Sequence, residues 1–125
     1  MAQPEPNLTV VIPVHNAARY LGTCVESLME QSYTDFELIL VENGSSDDSR
    51  ECCTRYTAKY PGRIRTRTLD EASVSAARNA GIDDARGRFI TFMDADDWAE
   101  KEFLAEFFRG HTPQPDMVVI QGIRL

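Results

Sequence analysis

At 125 residues the chain has the length of one domain, long enough to bury a hydrophobic core but short for a complete enzyme. Its formal net charge of -7 argues against nucleic acid or an anionic membrane surface as a partner of the whole domain. No apolar run approaches the roughly 20 residues of a membrane-spanning helix, and no signal peptide is visible, so we expect a cytoplasmic protein without a transmembrane segment.

The chain opens with a tail and a buried strand. Residues 1–7 contain two prolines and no apolar period, which predicts a disordered tail ahead of a folded domain over 8–125. Residues 8–12 are a β-branched run that is apolar on both faces, as in a buried parallel strand, and we expect the strand to end at about Pro13. Apolar residues then recur at helical spacing over 21–29, which predicts an amphipathic helix.

A second strand and helix follow, and then an edge strand. Residues 36–41 are apolar almost throughout and predict another buried strand. Residues 44–48 offer a turn glycine, serines as N-caps and aspartates for the first turn of a helix that runs to about Tyr60. Residues 64–69 alternate apolar and polar side chains, which is typical of a half-exposed edge strand.

The second half continues the alternation of helix and strand. Residues 74–85 predict a helix whose small side chains let it lie close to the sheet, and 89–93 predict a buried strand. A short helix over 101–108 and a strand that begins at 117–120 complete the pattern. This order predicts an α/β fold of Rossmann-like, doubly wound type, with a mostly parallel sheet and helices on both faces.

The cysteines and histidines do not form a metal-binding pattern. Cys24, Cys52 and Cys53 are odd in number and lack zinc-type spacing, so we interpret them as reduced, packed thiols. His15 and His111 share no ligand spacing with each other or with a cysteine, which argues against a zinc site.

Polar residues collect immediately after the predicted strands. In a doubly wound sheet, ligands bind beyond the carboxyl ends of the strands, so these residues are candidates for a site. They are Pro13, Val14, His15 and Asn16 after the first strand, Glu42 and Asn43 after the second, Asp70 and Glu71 after the third, and Asp94, Asp96 and Asp97 after the fourth.

The segment Asp94-Ala95-Asp96-Asp97 is the sharpest of these features. Three carboxylates within four residues repel one another unless a cation or hydrogen-bond donors neutralise them. Residues two apart in extended chain point the same way, so Asp94 and Asp96 can face one cavity. Hard oxygen ligands suit Mg²⁺ or Mn²⁺, with substrate phosphates completing the shell. The alternative is an acidic turn that caps the following helix.

Two further groups have both a structural and a functional interpretation. Residues 42–47 form a helix N-terminus, and Glu42 and Asn43 at the strand end can also hydrogen-bond a nucleobase edge or ribose hydroxyls. Arg78 is a long cation in a helix of small residues, and it is either solvated or directed at an anionic ligand.

Four segments in order and at suitable spacing carry a family resemblance. They are residues 11–16 (VIPVHN), 42–47 (ENGSSD), 77–81 (ARNAG) and 92–97 (FMDADD). Together they resemble the donor-binding half of the family 2 inverting glycosyltransferases with a GT-A fold, over roughly 8–110.

The resemblance implies a role for each matched residue. It places His15 and the Pro13-Val14 backbone against uracil or ribose, and position 43 at the base edge. It implies that Asp96 and Asp97 hold the metal and the diphosphate or donor ribose. Arg78 is expected near the donor phosphates or sugar.

This chain departs from the family pattern in two places. Relatives commonly carry two aspartates where Glu42 and Asn43 stand, so base preference here is an open point. Glu71-Ala72 replaces a glycine that often precedes the Ala-Arg-Asn segment.

The implied reaction moves a sugar from a nucleoside-diphosphate sugar, with UDP favoured, to a hydroxyl of a saccharide or lipid-linked acceptor with inversion. The metal acts as a Lewis acid on the departing diphosphate, and a carboxylate base takes the acceptor's proton. We expect that base beyond Leu125, in a missing acceptor half, and any contact with the cytoplasmic face of a membrane through segments outside this chain.

Three alternatives belong to other functional classes. A signalling receiver domain needs an acidic pair after the first strand, where Pro13 to Asn16 stand instead. A nucleotidyltransferase usually carries a glycine- and arginine-rich phosphate loop there. A donor-binding fragment without catalysis predicts metal-dependent nucleotide binding and no transfer.

Overall fold

Helices and strands alternate along the whole described chain. The structure is a computed structural model that describes residues 5–109 and the strand 118–120. Its elements are β1 (Leu8–Val14), α1 (Ala18–Met29), β2 (Phe36–Asn43), α2 (Ser49–Lys59), β3 (Ile64–Leu69), α3 (Val74–Asp84), β4 (Phe89–Phe92), α4 (Phe103–Arg109) and β5 (Val118–Ile120).

The strands form one parallel sheet in the order β3-β2-β1-β4-β5. Leu8 of β1 pairs with Phe36 of β2 on one side and with Phe89 of β4 on the other. The chain therefore winds outwards from β1 to β3 and returns across β1 to β4. This reversal leaves a crevice between the carboxyl ends of β1 and β4, which is where such sheets bind ligands. The predicted doubly wound α/β fold is confirmed.

Alternate residues of the buried strands face two different cores. On β2, Leu38 and Leu40 belong to the core covered by α1, α2 and α4, whereas Ile39 and Val41 pack with Ala77 and its neighbours on α3. Side chains one residue apart on a strand point to opposite faces, so both faces of the sheet are apolar and covered.

Helix α3 lies very close to the sheet. A Cβ on Gly81 would come 2.3 Å from Cγ1 of Val11, so glycine is required for this approach. Ala77 and Ala80 are buried on the same side of the helix. This confirms the prediction that the small residues of α3 allow close packing.

Two local expectations differ from the structure. Residues 1–4 of the predicted tail lie outside the described residues, but Asn7 is anchored: its N–H donates to the Asp35 carbonyl (3.2 Å) and its carbonyl accepts from the Phe89 N–H (3.0 Å). The serines expected as N-caps of α2 do not cap it. The helix begins at Ser49, and the side chain of the N-cap residue Asp48 makes no capping hydrogen bond.

Candidate functional site

A cavity of about 360 Å³ opens at the crevice where β1, β2 and β4 end. This volume is within the range of small-molecule sites, about 300–1,000 Å³. Most of the predicted site residues line it. The lining residues are Pro13, His15, Asn16, Ala17, Tyr20, Asn43, Val74, Arg78, Phe92, Asp94, Ala95 and Asp96.

Val14 and Glu42 are predicted site residues whose side chains the structure turns away from this cavity, and Asp70, Glu71 and Asp97 also lie outside its lining. Val14 is fully buried in the core covered by α1 and α2. The Glu42 carboxylate is buried on the same face of the sheet, where it accepts hydrogen bonds from the Ser45 N–H (2.7 Å) and the Arg50 Nε (3.2 Å). Each residue neighbours a cavity residue on its strand, and strand neighbours point to opposite faces. Glu42 therefore holds the loop after β2 and does not line the cavity.

The pKa of Glu42 reflects this buried position. Burial raises the pKa, but the hydrogen bonds from Ser45 and the ion pair with Arg50 lower it by more, so that it lies below its ordinary value. Glu42 is consequently a buried, ionised group that stabilises the start of the loop.

His15 and Asn43 form one side of the cavity. Nδ1 of His15 lies 2.8 Å from the Asn43 carbonyl oxygen, and because a carbonyl only accepts, Nδ1 carries the proton. With the proton on Nδ1, Nε2 of His15 is an acceptor, and the Asn16 Nδ2 lies 3.4 Å from it. The side-chain Oδ1 of Asn43 is buried and has no hydrogen-bond partner among the described residues. An unpaired buried acceptor is costly, so this side of the cavity fits a ligand that donates hydrogen bonds.

Asp94, Asp96 and Asp97 form the opposite, acidic side of the site. One carboxylate oxygen from each lies within 4.8 Å of the others. The turn is closed by the Asp97 N–H, which donates to the Asp94 carbonyl (3.0 Å). Oδ2 of Asp97 is buried without a hydrogen-bond partner in the described part of the chain. Helix α4 begins only at Phe103, so the acidic turn does not cap it.

The field of this cluster reaches the core beneath it. Burial, the largest cause, together with the carboxylates of Asp97, Asp96 and Asp94 raises the pKa of the Cys24 thiol to about 12. Three carboxylate oxygens within 4.8 Å of one another are the kind of donor set that a hard divalent cation takes. The structure thus brings together the residues that the sequence predicted as a metal site.

Arg78 supplies positive charge to the cavity. It extends from α3, and its guanidinium lies over the Phe92 ring, 5.6 Å from the centroid. Among the described residues that line the cavity, it is the single permanently charged cation. Its stacking on Phe92 holds the guanidinium at the cavity wall, as an anionic ligand requires.

Sequence reasoning missed two residues at the cavity mouth. Tyr20 on α1 and Val74 at the start of α3 are 48% and 56% exposed, although both are large apolar side chains. Tyr20 falls outside the apolar stripe of α1, and this displacement was the signal that it does not serve the core. The two side chains give the cavity an apolar rim.

The chain is similar in sequence to known proteins. Residues 9–124 match the family described as "Glycosyl transferase family 2". The chain is 35% identical over 114 residues to the putative glycosyltransferase EpsH of Bacillus subtilis, covering 91% of this chain and 33% of that protein. It is 42% identical over 97 residues to the uncharacterized glycosyltransferase YibD of Escherichia coli, covering 78% and 28%.

A solved structure shares the fold. Residues 1–349 of Staphylococcus aureus TarS, crystallised in complex with UDP-GlcNAc, superpose with a TM-score of 0.74 and 27% identity, covering 81% of this chain and 30% of that one. This chain therefore spans about a third or less of each of these proteins. Within the part of the chain that the structure describes, no helix combines the length and apolar character needed to cross a membrane.

Proposed function

Because this chain belongs to glycosyl transferase family 2, we propose that it forms the donor-binding half of a metal-assisted, inverting glycosyltransferase that uses a nucleoside-diphosphate sugar. The observation that carries the proposal is the pair of unpartnered, buried oxygens at one edge of the sheet. Asn43 Oδ1 can accept a hydrogen bond from a ligand, and Asp97 Oδ2 can bind a cation or accept a hydrogen bond. A base at one end of the ligand and a diphosphate with its metal at the other satisfy both.

The base end favours a uracil nucleotide. The imide N–H of uracil can donate to Asn43 Oδ1, and the ribose hydroxyls can donate to His15 Nε2. The TarS likeness supports this preference, since TarS was crystallised with UDP-GlcNAc. Glutamate and asparagine at 42 and 43, where relatives commonly carry two aspartates, leave the base-reading role with Asn43 because Glu42 lies on the other face of the sheet.

The acidic end fits Mn²⁺ or Mg²⁺. Asp96 and Asp97 would hold the ion, because Asp97 has the unpaired buried oxygen and Asp96 lines the cavity beside it. When bound, the ion supplies Lewis-acid stabilisation of the negative charge on the departing nucleoside diphosphate. Arg78, held at the wall by Phe92, adds a second positive charge near the phosphates.

The chain's own residues bind and orient the donor. His15 and Asn43 fix the nucleoside, and the acidic turn fixes the far end of the diphosphate. The anomeric carbon is thereby presented to an acceptor hydroxyl that attacks from the opposite face, which inverts its configuration. We assign the carboxylate base and the saccharide or lipid-linked acceptor site to the part of the relatives' length that this chain does not span, and the reaction to the cytoplasm.

A donor-binding chain without transfer is the second candidate for these 125 residues alone. It is favoured by the coverage: the chain spans 33% of EpsH and 30% of the TarS structure. Under this alternative the chain binds the donor and metal, and no sugar reaches any acceptor.

Calorimetric titration of UDP with Mn²⁺, and again with EDTA, tests the proposal. We expect binding that disappears in EDTA, and weaker binding of ADP than of UDP. Equal affinity with and without metal would refute the metal assignment, and equal affinity for ADP and UDP would refute the role of Asn43. Absence of UDP binding in both buffers would refute the donor site.

A further inference from the structure

Helix α1 has no cap of its own. Its N-cap residue is Ala17, which offers no side-chain acceptor, so the first N–H groups of the helix need partners from elsewhere. The start of α2 supplies them: the Ala17 N–H donates to Ser49 Oγ (2.9 Å, buried) and the Ala18 N–H donates to Asp47 Oδ2 (3.2 Å). The first turn of α1 is thus capped by residues from the next strand–helix connection.

Asn16, in turn, caps backbone N–H groups of the loop before α2. Its Oδ1 accepts hydrogen bonds from the Ser46 N–H (2.8 Å) and the Asp47 N–H (3.3 Å). Its own N–H donates to Ser45 Oγ (3.0 Å). The backbone of Asn16 has φ of 48°, in the left-handed region that asparagine tolerates better than most residues, and this conformation directs the side chain towards that loop.

The two loops therefore cap each other, and both lead into the base end of the cavity. His15 precedes Asn16 on one loop, and Asn43 ends the strand that leads into the other. A movement of one loop against the other changes the position of His15 relative to Asn43, whose carbonyl the His15 ring contacts at 2.8 Å. Reciprocal capping removes that freedom.

We infer that Asn16 is a positioning residue for nucleotide binding, which holds His15 and Asn43 in their binding arrangement through this reciprocal cap. The inference rests on the proposed function for its ligand. It also gives Asn16 a different role from the direct ligand contact that its place after β1 suggested, because its Oδ1 is already engaged by two backbone N–H groups.

The expected loss of UDP affinity depends on the fraction of molecules in which the two loops hold His15 and Asn43 in the binding arrangement. Apparent affinity falls in proportion to that fraction, even when no ligand contact is lost. Loss of one helix cap is expected to lower UDP affinity roughly fivefold.

The test uses Ser49→Ala, a variant of a residue outside the cavity lining, which removes the hydrogen bond from the Ala17 N–H to Ser49 Oγ. Asn16→Gly removes the hydrogen bonds that Asn16 Oδ1 accepts and keeps the left-handed backbone. The matched control is Thr57→Val on α2, which loses the hydrogen bonds of Thr57 Oγ1 to the Cys53 carbonyl and to Thr66 without touching either loop. All are measured well below their melting temperatures, so that stability alone does not alter binding.

We expect Ser49→Ala and Asn16→Gly each to weaken UDP binding about fivefold with Mn²⁺ present, and Thr57→Val to leave it unchanged. The double variant should be no weaker than about fivefold, because both changes break one unit. Additive losses, or an unchanged affinity in Ser49→Ala, would overturn the inference.

Hydrogen exchange of the ligand-free chain tests the same unit without a nucleotide. In Ser49→Ala, the amides of Ser46 and Asp47 should exchange faster together with that of Ala17. A change confined to Ala17 would overturn the inference. If the wild-type chain binds no UDP, the proposed function fails, and the exchange result still decides whether the loops form one unit.

Discussion

Asp97→Asn is expected to have opposite effects on stability and on binding. The substitution keeps the size of the side chain and removes one of three carboxylates whose oxygens lie within 4.8 Å of one another. Without metal, the Asp97 charge is repelled by its two acidic neighbours, so the variant should be more stable than the wild-type chain. With metal, the cluster loses a ligand, so nucleotide binding should weaken.

The size of the stability effect follows from Coulomb's law. Two unit charges 4.8 Å apart repel by about 0.9 kcal/mol in water, and Asp97 takes part in two such pairs. A water-like dielectric is appropriate because Asp94 and Asp96 are exposed. Screening by physiological salt reduces the gain to about 1 kcal/mol, which raises the melting temperature by roughly 4 °C in a domain of this size.

The same substitution should weaken nucleotide binding, although it stabilises the metal-free chain. Loss of a carboxylate ligand should reduce Mn²⁺-dependent UDP affinity on the order of tenfold or more. Thermal unfolding in EDTA measures the first effect, and calorimetric titration of UDP with Mn²⁺ measures the second. The matched control is Asp35→Asn, which removes an exposed carboxylate of the connection before β2, outside the cluster and outside any helix, and should change neither quantity in this way. A lower melting temperature in EDTA, or unchanged affinity with Mn²⁺, would refute the metal assignment.

Four further predictions concern the nucleobase contact, the packing of α3, the loss of stability at acid pH and the buried thiols. Asn43→Ala should weaken UDP binding more than pyrophosphate binding in calorimetry, and equal losses would remove Asn43 from the base. Gly81→Ala should cost about 1–3 kcal/mol in urea denaturation, because the added Cβ meets Val11 at 2.3 Å, and an unchanged midpoint would contradict the close approach of α3. The pKa of Glu42 in the folded chain lies below its ordinary value of 4.5, so ionised Glu42 contributes fully to the free energy of unfolding above that pH, and this contribution is lost as the pH falls through the folded-state pKa. Glu42→Gln should therefore flatten the fall in the urea midpoint below about pH 4.5. An unaltered pH profile would count against a buried, ionised Glu42. Burial raises the pKa of Cys24 to about 12, so a disulfide reagent at pH 8 should label this thiol only after unfolding, and rapid labelling of the native chain would contradict its burial.

The sheet was predictable because its residues obey local rules. Strands β1 and β2 were predicted from their apolar, largely β-branched runs, and α3 was predicted from its small residues to pack closely on the sheet. The structure confirms these three predictions. The odd, unpaired cysteines were also correctly interpreted, since all three are free and buried.

The direction of Val14 and Glu42 was not predictable from composition. Both strands are apolar on both faces, so the sequence pattern does not mark which face leads to the cavity. Alternation does require that neighbours such as Glu42 and Asn43 face opposite sides, and that rule excludes a shared ligand contact.

The partners of Ser45 and Ser46 were missed for a different reason. Capping rules search within about four residues of a helix start, and the serines before α2 satisfy the local pattern. Their actual partner, Asn16, lies on the preceding connection, at a sequence separation of 29 and 30 residues. Non-local hydrogen bonds of this kind leave no local signal.

The capping of α1 by Asp47 and Ser49 also bears on the order in which the chain folds. The first turn of α1 is completed by Asp47 and Ser49, which lie 29 and 32 residues further along than the N–H groups they satisfy. During synthesis, β1 and α1 leave the ribosome before these residues exist, so the start of α1 frays until β2 has paired with β1. We therefore expect the helix start and the central strand pair to form together, and a peptide that ends before Ser49 to lack the partners that complete the first turn of α1.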